Sequence, residues 1–460
     1  MMPWIAAVAF FMQTLDTSIL NTALPTIAHD LNESPLNMQS AVISYALTLA
    51  LFIPVSGFLA DKFGTRNVFV TAVSLFSLGS LCCALSQSLI FLDLSRVLQG
   101  IGGAMMVPVT RLALIKSFKR SEFLAALNAS TIPGLIGPVV GPVLGGYLVE
   151  EATWHWIFLI NIPIGVIGII TGIKFLPNLK GKKSSFDFTG AALISLAVIG
   201  TTLSLEFINE GVNIYLSLCL FIGCLFLLYG YVVHARRATE PLFSLELFQI
   251  NTFKIGLLGN LISRLGISAA PFLVPLLLQV AFGYSAITAG LMLMPMAIAS
   301  LTMKTFVPPI LRRFGYRRVL LVNTVIAGVI VMSLSVLNEN SSLIIFAMLL
   351  FCLGAVNSLQ FTSMNSITLA DLKGDLTSSG NSLMAVNQQL AISFGVACGA
   401  VLVRVFSQNL DIFHHEVSDA FKASFIVLGA ITLCSGLIFR KLKPEDGVNL
   451  TIRHAENDQH

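Results

Sequence analysis

The sequence predicts an all-α polytopic membrane protein with fourteen transmembrane helices, and three observations carry that reading. Only 11% of the residues are charged and 55% are apolar, with a mean hydropathy of +0.85; a soluble domain carries about 25% charged residues. Fourteen apolar stretches of about 20 residues follow one another, each long enough to cross a bilayer as a helix. The 27 Lys and Arg residues alternate by side: 23 lie in the even-numbered loops, their flanking helix ends and the C-terminal tail. Two, Arg404 and Lys422, lie on the odd side, and two, Arg96 and Arg264, fall inside apolar segments. Cytoplasmic loops are rich in Lys and Arg, so the even side is read as cytoplasmic, with both termini there. A β-barrel would instead show alternating strands of about ten residues.

The predicted segments can be justified in order. The first, 3–25, is apolar from near its start and longer than a leader's core, so it reads as a spanning helix and not a cleaved signal. It carries Asp16. Segments 38–60 and 67–86 flank a short basic loop with Lys62 and Arg66. The fourth, 89–111, contains Arg96 and runs into Arg111, Lys116, Lys119 and Arg120. The fifth, 123–147, is rich in Gly and Pro, a poor helix in water. In a membrane, small residues allow close packing and neighbouring helices repair proline defects. The sixth, 156–176, ends at the basic run from Lys174 to Lys183. Segments 188–207 and 214–233 are closed by Arg236 and Arg237. The ninth, 254–280, carries Arg264. Segments 285–305 and 317–337 flank Arg312, Arg313, Arg317 and Arg318. Segments 342–363, 384–406 and 421–439 complete the set. The tail after Arg440 is polar and reads as disordered.

An internal repeat divides the chain. Gly57-Phe-Leu-Ala-Asp61-Lys62-Phe63-Gly64-Thr65-Arg66 follows segment two, and Pro308-Pro-Ile-Leu-Arg312-Arg313-Phe314-Gly315-Tyr316-Arg317 follows segment ten. Both carry basic-Phe-Gly-x-Arg on the cytoplasmic side. Repeated halves are common in transporters. The offset is eight segments, where two six-helix halves alone would give six. The expected organisation is therefore a six-helix half over 1–178, two inserted helices over 179–250, a second six-helix half over 251–439 and a tail over 440–460. The second copy has Arg312 where Asp61 would align, so a symmetric lock is not expected there.

Three ionisable residues are read as lying deep inside apolar segments. A charge in a bilayer costs roughly 2.5–3.5 kcal/mol on insertion scales, so such a residue is a functional candidate. Asp16 is read either as a proton-exchanging site or as a helix-end acid. Arg96 is read as its partner or as half of a permanent structural pair. Asp16 lies nine residues from the outer end of its segment and Arg96 seven, which at 1.5 Å per residue differ in depth by about 3 Å. Gln99, at i+3 from Arg96, shares its face and could orient the guanidinium. Arg264 has no evident buried acid, and Asn260 shares its face. It is read as a contact for an anionic or zwitterionic substrate, or as a structural donor to backbone carbonyls.

The motifs together resemble the major facilitator superfamily, in its fourteen-spanning drug:proton antiporter branch. The likeness covers nearly the whole chain. Gly57-x-Leu59-Ala60-Asp61-x-x-Gly64-x-Arg66 matches the signature after helix two, and Arg96-x-x-Gln99-Gly100-x-Gly102 that of helix four. Pro133-Gly134-x-x-Gly137-Pro138-x-x-Gly141-Pro142-x-x-Gly145-Gly146 is similar to the antiporter signature of helix five. Leu15-Asp16-Thr17-x-x-x-Asn21-x-Ala23-Leu24-Pro25 and Trp154-His155-Trp156-Ile157-Phe158-Leu159-Ile160-Asn161-Ile162-Pro163 are similar to motifs of that branch. A narrower likeness, to a group of multidrug exporters, rests on Phe314-Gly315-Tyr316-Arg317-Arg318 and Ser378-Ser379-Gly380-Asn381-Ser382. The resemblance implies two six-helix halves plus two extra central helices, neighbouring helices one and four, and a proton-coupling role for Asp16 and Arg96. The loop with Gly57, Asp61, Gly64 and Arg66, and its second copy with Arg313, Gly315 and Arg317, are read from their residues as gating elements or as solvated loops that set the topology. Gly137, Pro138, Gly141, Pro142 and Gly145 form the antiporter helix. Asn21, Gln99, Asn260 and Arg264 are expected at the substrate cavity.

The expected function is proton-coupled efflux of drug-like small molecules across the cell inner membrane by alternating access. A narrower exporter of organic anions, metabolites or metal chelates is the alternative within transport. An integral membrane enzyme or a transporter-like sensor is the alternative outside it. The seven histidines, His29, His155, His234, His414, His415, His454 and His460, fall at loops, tail or helix ends, and the seven cysteines form no CxxC pair. No metal or other cofactor is expected, and without a GxxxxGK[ST] loop neither is direct use of ATP. The expected partners are the substrate, protons and lipid, with no nucleic acid, and the chain is expected to act as a monomer.

Overall fold

Each predicted apolar segment folds as a helix, because about 20 apolar residues satisfy their own backbone groups in no other single-segment form. The computed structural model describes residues 2–118, 120–181, 186–209, 214–372, 376–408 and 417–447, which contain helices and no strand. The helices are α1 (Met2–Asp30), α2 (Gln39–Phe63), α3 (Thr65–Ala84), α4 (Leu89–Ser117), α5 (Arg120–Glu151), α6 (Trp156–Leu159) and α7 (Asn161–Phe175). They continue as α8 (Phe188–Asn209), α9 (Ile214–Ala235), α10 (Asn251–Leu276), α11 (Ala286–Phe314), α12 (Tyr316–Ser333), α13 (Leu343–Leu369), α14 (Leu376–Gln408) and α15 (Val417–Phe439). The sixth predicted segment is α6 and α7 together, interrupted at Ile160. Among the described residues, twelve helices are long and apolar enough to cross a membrane, and α8 supplies the shorter apolar stretch Phe188–Ser204.

The two repeat loops fold alike. Gly64 between α2 and α3 has φ +93°, and Gly315 between α11 and α12 has φ +74°. These left-handed values favour glycine. Each amide closes the preceding helix, Gly64 N–H on the Ala60 carbonyl and Gly315 N–H on that of Leu311, both at 2.9 Å. The sequence likeness of these loops is thus a likeness of backbone.

Two units pack around separate cores. The first comprises Met1–Phe186 with Val274–Met294. In it α1 runs along α5, while α2 and α3 flank α4, around Met12, Tyr45, Leu49, Phe69, Phe76 and Met106. The second comprises Asp187–Leu273 with Pro295–His460. There α12 packs on α13 and α15, and α8 packs on α9 and α14, with Ile255, Val307, Leu320, Ile367 and Phe439 at one core.

The α1–α5 seam explains the Gly/Pro pattern of α5. Pro138 has no N–H, so the carbonyl of Gly134 loses its helical partner. Thr14 Oγ1 of α1 donates to that carbonyl at 2.8 Å. Ser18 Oγ donates to the Gly137 carbonyl and Thr22 Oγ1 to the Pro142 carbonyl, each at 3.1 Å. A Cβ at Gly137, Gly141 or Gly145 would collide with Thr14, Ser18 or Ile19. Small residues at this spacing let the two backbones meet and bond.

Asp187 caps α8. Its Oδ1 accepts from the Gly190 amide at 2.8 Å and from His234 Nε2 of α9 at 2.7 Å, and its Oδ2 accepts from the Leu242 amide at 3.0 Å. Burial alone would raise its pKa, but these bonds outweigh it and lower the value. A lowered carboxylate pKa contributes stability above the unfolded value, lost as pH falls through the folded one. Asp187→Ala is expected to cost about 1 kcal/mol, the worth of a typical cap. Melting curves against pH should show the wild type losing this increment in acid and the variant not. Identical pH profiles would remove the capping carboxylate from the account.

Candidate functional site

The site is built where five helices of the first unit bring polar side chains into an apolar interior. Asp16 of α1 and Arg96 of α4 are each 1% exposed, and Arg96 Nη1 lies 2.6 Å from Asp16 Oδ2. The depth match expected from the sequence is met by direct contact. Gln99, one turn beyond Arg96, accepts from the same Nη1 through Oε1 at 2.6 Å and donates from Nε2 to Asp16 Oδ1 at 2.7 Å. Arg96 Nε donates to the Ala41 carbonyl of α2 at 3.1 Å. The Tyr45 ring lies 4.2 Å from the guanidinium carbon.

Two residues not singled out from the sequence complete the network. Asn161 begins α7, directly after the break at Ile160, and its Nδ2 donates to Asp16 Oδ1 at 3.0 Å. Ser80 of α3 accepts through Oγ from Gln99 Nε2 at 2.7 Å and from Asn161 Nδ2 at 3.3 Å. Asn161 was legible only as part of a motif, and Ser80 carried no signal. Gly79 makes the approach possible, since a Cβ there would meet the backbone of Gln99 at 2.5 Å.

Three donors therefore converge on one carboxylate, and three acceptors on one guanidinium. Buried ion pairs hold only when the remaining polar valences are filled in this way, and removing one partner costs about 3–5 kcal/mol.

The remaining expected residues fall elsewhere. Asp61 Oδ1 of α2 pairs with Lys116 Nζ of α4 at 2.8 Å, partly exposed, and its carbonyl accepts from the Gly181 amide at 3.1 Å. Gly57 has open space around it. No ion pair to Arg66 is found among the described residues. In the second unit Arg313 lies over Phe314 at 5.4 Å, and Arg317 Nη2 donates to the Arg440 carbonyl at 3.4 Å. The second loop is not a copy of the Asp61 contact, as its Arg312 suggested. Asn21 of α1 has a buried, unpartnered Oδ1. Asn260 and Arg264 of α10 stand one turn apart in the second unit, and Gln99 belongs to the ion-pair network. The second unit also holds a neutral network: Asn323 Nδ2 donates to Gln360 Oε1, and Gln360 Nε2 to Thr324 Oγ1, both at 2.8 Å.

The sequence profile described as Major Facilitator Superfamily matches residues 6–396 and again 256–457. A relative from Pectobacterium atrosepticum, named "Putative multidrug resistance protein MdtD", is 43% identical over 446 residues, 96% of this chain and 95% of that protein. The protein of the same name from Escherichia coli O6:H1 is 43% identical over 453 residues, 98% of this chain and 96% of that one. Among solved structures, a variant of the nucleoside transporter NupG superposes with a TM-score of 0.69 at 13% identity, covering 96% of this chain and 100% of that chain. A D-xylose–proton symporter gives 0.68 at 14%, covering 96% and 98%. At such identities the structural likeness concerns the fold alone.

Proposed function

The chain belongs to the major facilitator superfamily, and we propose that it exports small drug-like molecules in exchange for protons. It is a multi-pass membrane transporter and not an enzyme. The observation that carries the coupling is the Asp16–Arg96 pair, 2.6 Å long and sealed from water. When Asp16 is ionised the pair and its shell hold the first half closed on itself. A proton arriving from outside cancels the carboxylate's charge, releases Arg96 and favours the other face. Return of the proton to the cytoplasm resets the pair, and substrate leaves in the opposite direction.

Transport runs by alternating access, with halves over 1–178 and 251–439 and the helices over 179–250 between them in sequence. The Gly57–Arg66 loop and its second copy at Arg313, Gly315 and Arg317 gate the cytoplasmic side, and the Asp61–Lys116 contact supports that role. The tight α1–α5 seam at Gly137, Pro138, Gly141, Pro142 and Gly145 limits leak past the coupling residue. Asn21 in the first unit, and Asn260 and Arg264 in the second, are each taken as substrate-binding candidates.

Proteoliposomes with an imposed pH gradient and a panel of labelled drugs test the function. Gradient-driven substrate movement, abolished by a protonophore, is the expected result. Movement unaffected by collapse of the gradient would sink proton coupling. Orientation in the cell inner membrane, with both termini cytoplasmic, follows from the Lys/Arg alternation. Reporter fusions near Lys182 and Arg313 should read cytoplasm, and those near Glu33 and Glu339 outside. A cytoplasmic reading at Glu339 would break the fourteen-helix count.

A further inference from the structure

The two arginines within apolar helices differ in what surrounds them. Arg96 has a carboxylate, an amide and a carbonyl as acceptors. Among the described residues Arg264 has none: its Nε and Nη1 are sealed from water and without a partner there. The Phe361 ring of α13 lies 5.0 Å from its guanidinium carbon. A cation–π contact is weak beside the cost of removing a charged group from water. The ring alone does not offset the burial. The residue as a whole is only half-buried.

Its helical neighbours are also incomplete. Asn260, one turn before, is buried with an unpartnered Oδ1, and Ser268, one turn after, has a buried, unpartnered Oγ. Residues four apart share a helix face, so three open hydrogen-bonding side chains line one stripe of α10. The helix is pressed closely on α14 there: a Cβ at Gly395 would lie 3.0 Å from the Ser268 side chain and 3.2 Å from the Arg264 carbonyl. Native structures rarely leave buried polar groups without a hydrogen-bond partner, so three of them on one stripe ask for one.

We propose that Arg264, with Asn260 and Ser268 on either side and Phe361 as its wall, is the subsite that binds a carboxylate of the exported molecule. A carboxylate supplies the two planar acceptors that match a guanidinium fork, and the aromatic ring accepts the adjoining apolar body. Ser268 donates to the same oxygens, and Asn260 accepts from a neighbouring donor on the ligand. The subsite rests on the export reading above and names its substrate class: organic acids and zwitterions with an apolar portion.

The test uses the purified full chain in nanodiscs at pH 7.5 and three probes: 2-naphthoate, its neutral isostere 2-naphthamide and tetraphenylphosphonium. Binding is read by calorimetry, so it needs no gradient. The wild type is expected to bind the acid at least about tenfold more tightly than the amide, a modest share of a charge-assisted pair. Arg264→Gln should erase that preference and leave the phosphonium unchanged, and Arg264→Lys should restore part of it. Equal binding of acid and amide by the wild type overturns the proposal, as does an equal loss of all three probes in Arg264→Gln. If neither variant folds, arginine modification by phenylglyoxal decides on the wild type. Naphthoate should protect Arg264 and not the surface arginines, and labelling of Arg264 unaffected by naphthoate overturns the proposal. Intact acid binding without gradient-driven flux would fail the export reading while leaving the subsite standing.

Discussion

Asp16→Asn is expected to abolish gradient-driven export while the protein still reaches the membrane. The amide keeps the shape of the carboxylate and cannot exchange a proton. Its oxygen can still accept from Gln99 Nε2 and Asn161 Nδ2, which hold Asp16 Oδ1 at 2.7 Å and 3.0 Å. The other position then presents an N–H to Arg96 Nη1, donor against donor, where the wild type has a 2.6 Å charge-assisted bond. Such bonds contribute about 1.5–3 kcal/mol, so the paired conformation loses roughly ten- to a hundredfold in population. The variant is therefore locked near the protonated state of the wild type. Exchange of substrate for substrate, which needs no proton turnover, should persist. Transport by Asp16→Asn at the wild-type rate under a pH gradient would remove Asp16 from coupling.

Which parts were legible in the sequence follows from which interactions cost most to bury. Long apolar runs specify helices through the backbone, so all fourteen segments were readable. Their ends were not: α1 continues through Pro25 to Asp30, and α14 starts at Leu376, eight residues before the predicted segment. Beyond the lipid, helix length is set by local propensity, which hydropathy does not report. Asp16 and Arg96 were readable because a charge in a bilayer is expensive and 1.5 Å per residue fixes depth. Asn161, Ser80 and the Ala41 carbonyl are neutral, carry no such cost, and come together only through packing of α2, α3, α4 and α7. The Asn323–Gln360–Thr324 network was invisible for the same reason. The repeat loops were readable because a positive φ leaves its trace as glycine, at Gly64 and Gly315.

Neutralising one partner of the buried pair should hurt more than neutralising both. Arg96→Gln leaves the Asp16 carboxylate without its cation in a site 1% exposed. Removing one partner of a buried pair costs about 3–5 kcal/mol, whereas replacing both charges by neutral groups is often close to neutral. The double variant Asp16→Asn with Arg96→Gln is therefore expected to melt above Arg96→Gln alone, near the wild type, yet to show no gradient-driven transport. Arg96→Lys separates charge from geometry. An ammonium on a flexible stem lacks the planar fork that reaches Ala41 O, Asp16 Oδ2 and Gln99 Oε1 together. Losing one such bond, at about 1.5–3 kcal/mol, predicts export roughly ten- to a hundredfold slower at equal protein level. Melting curves and flux on the same four preparations decide the matter. A double variant no more stable than Arg96→Gln would mean that the two side chains are not energetically coupled. A Lys variant that exports like the wild type would mean that only the charge at this position is used.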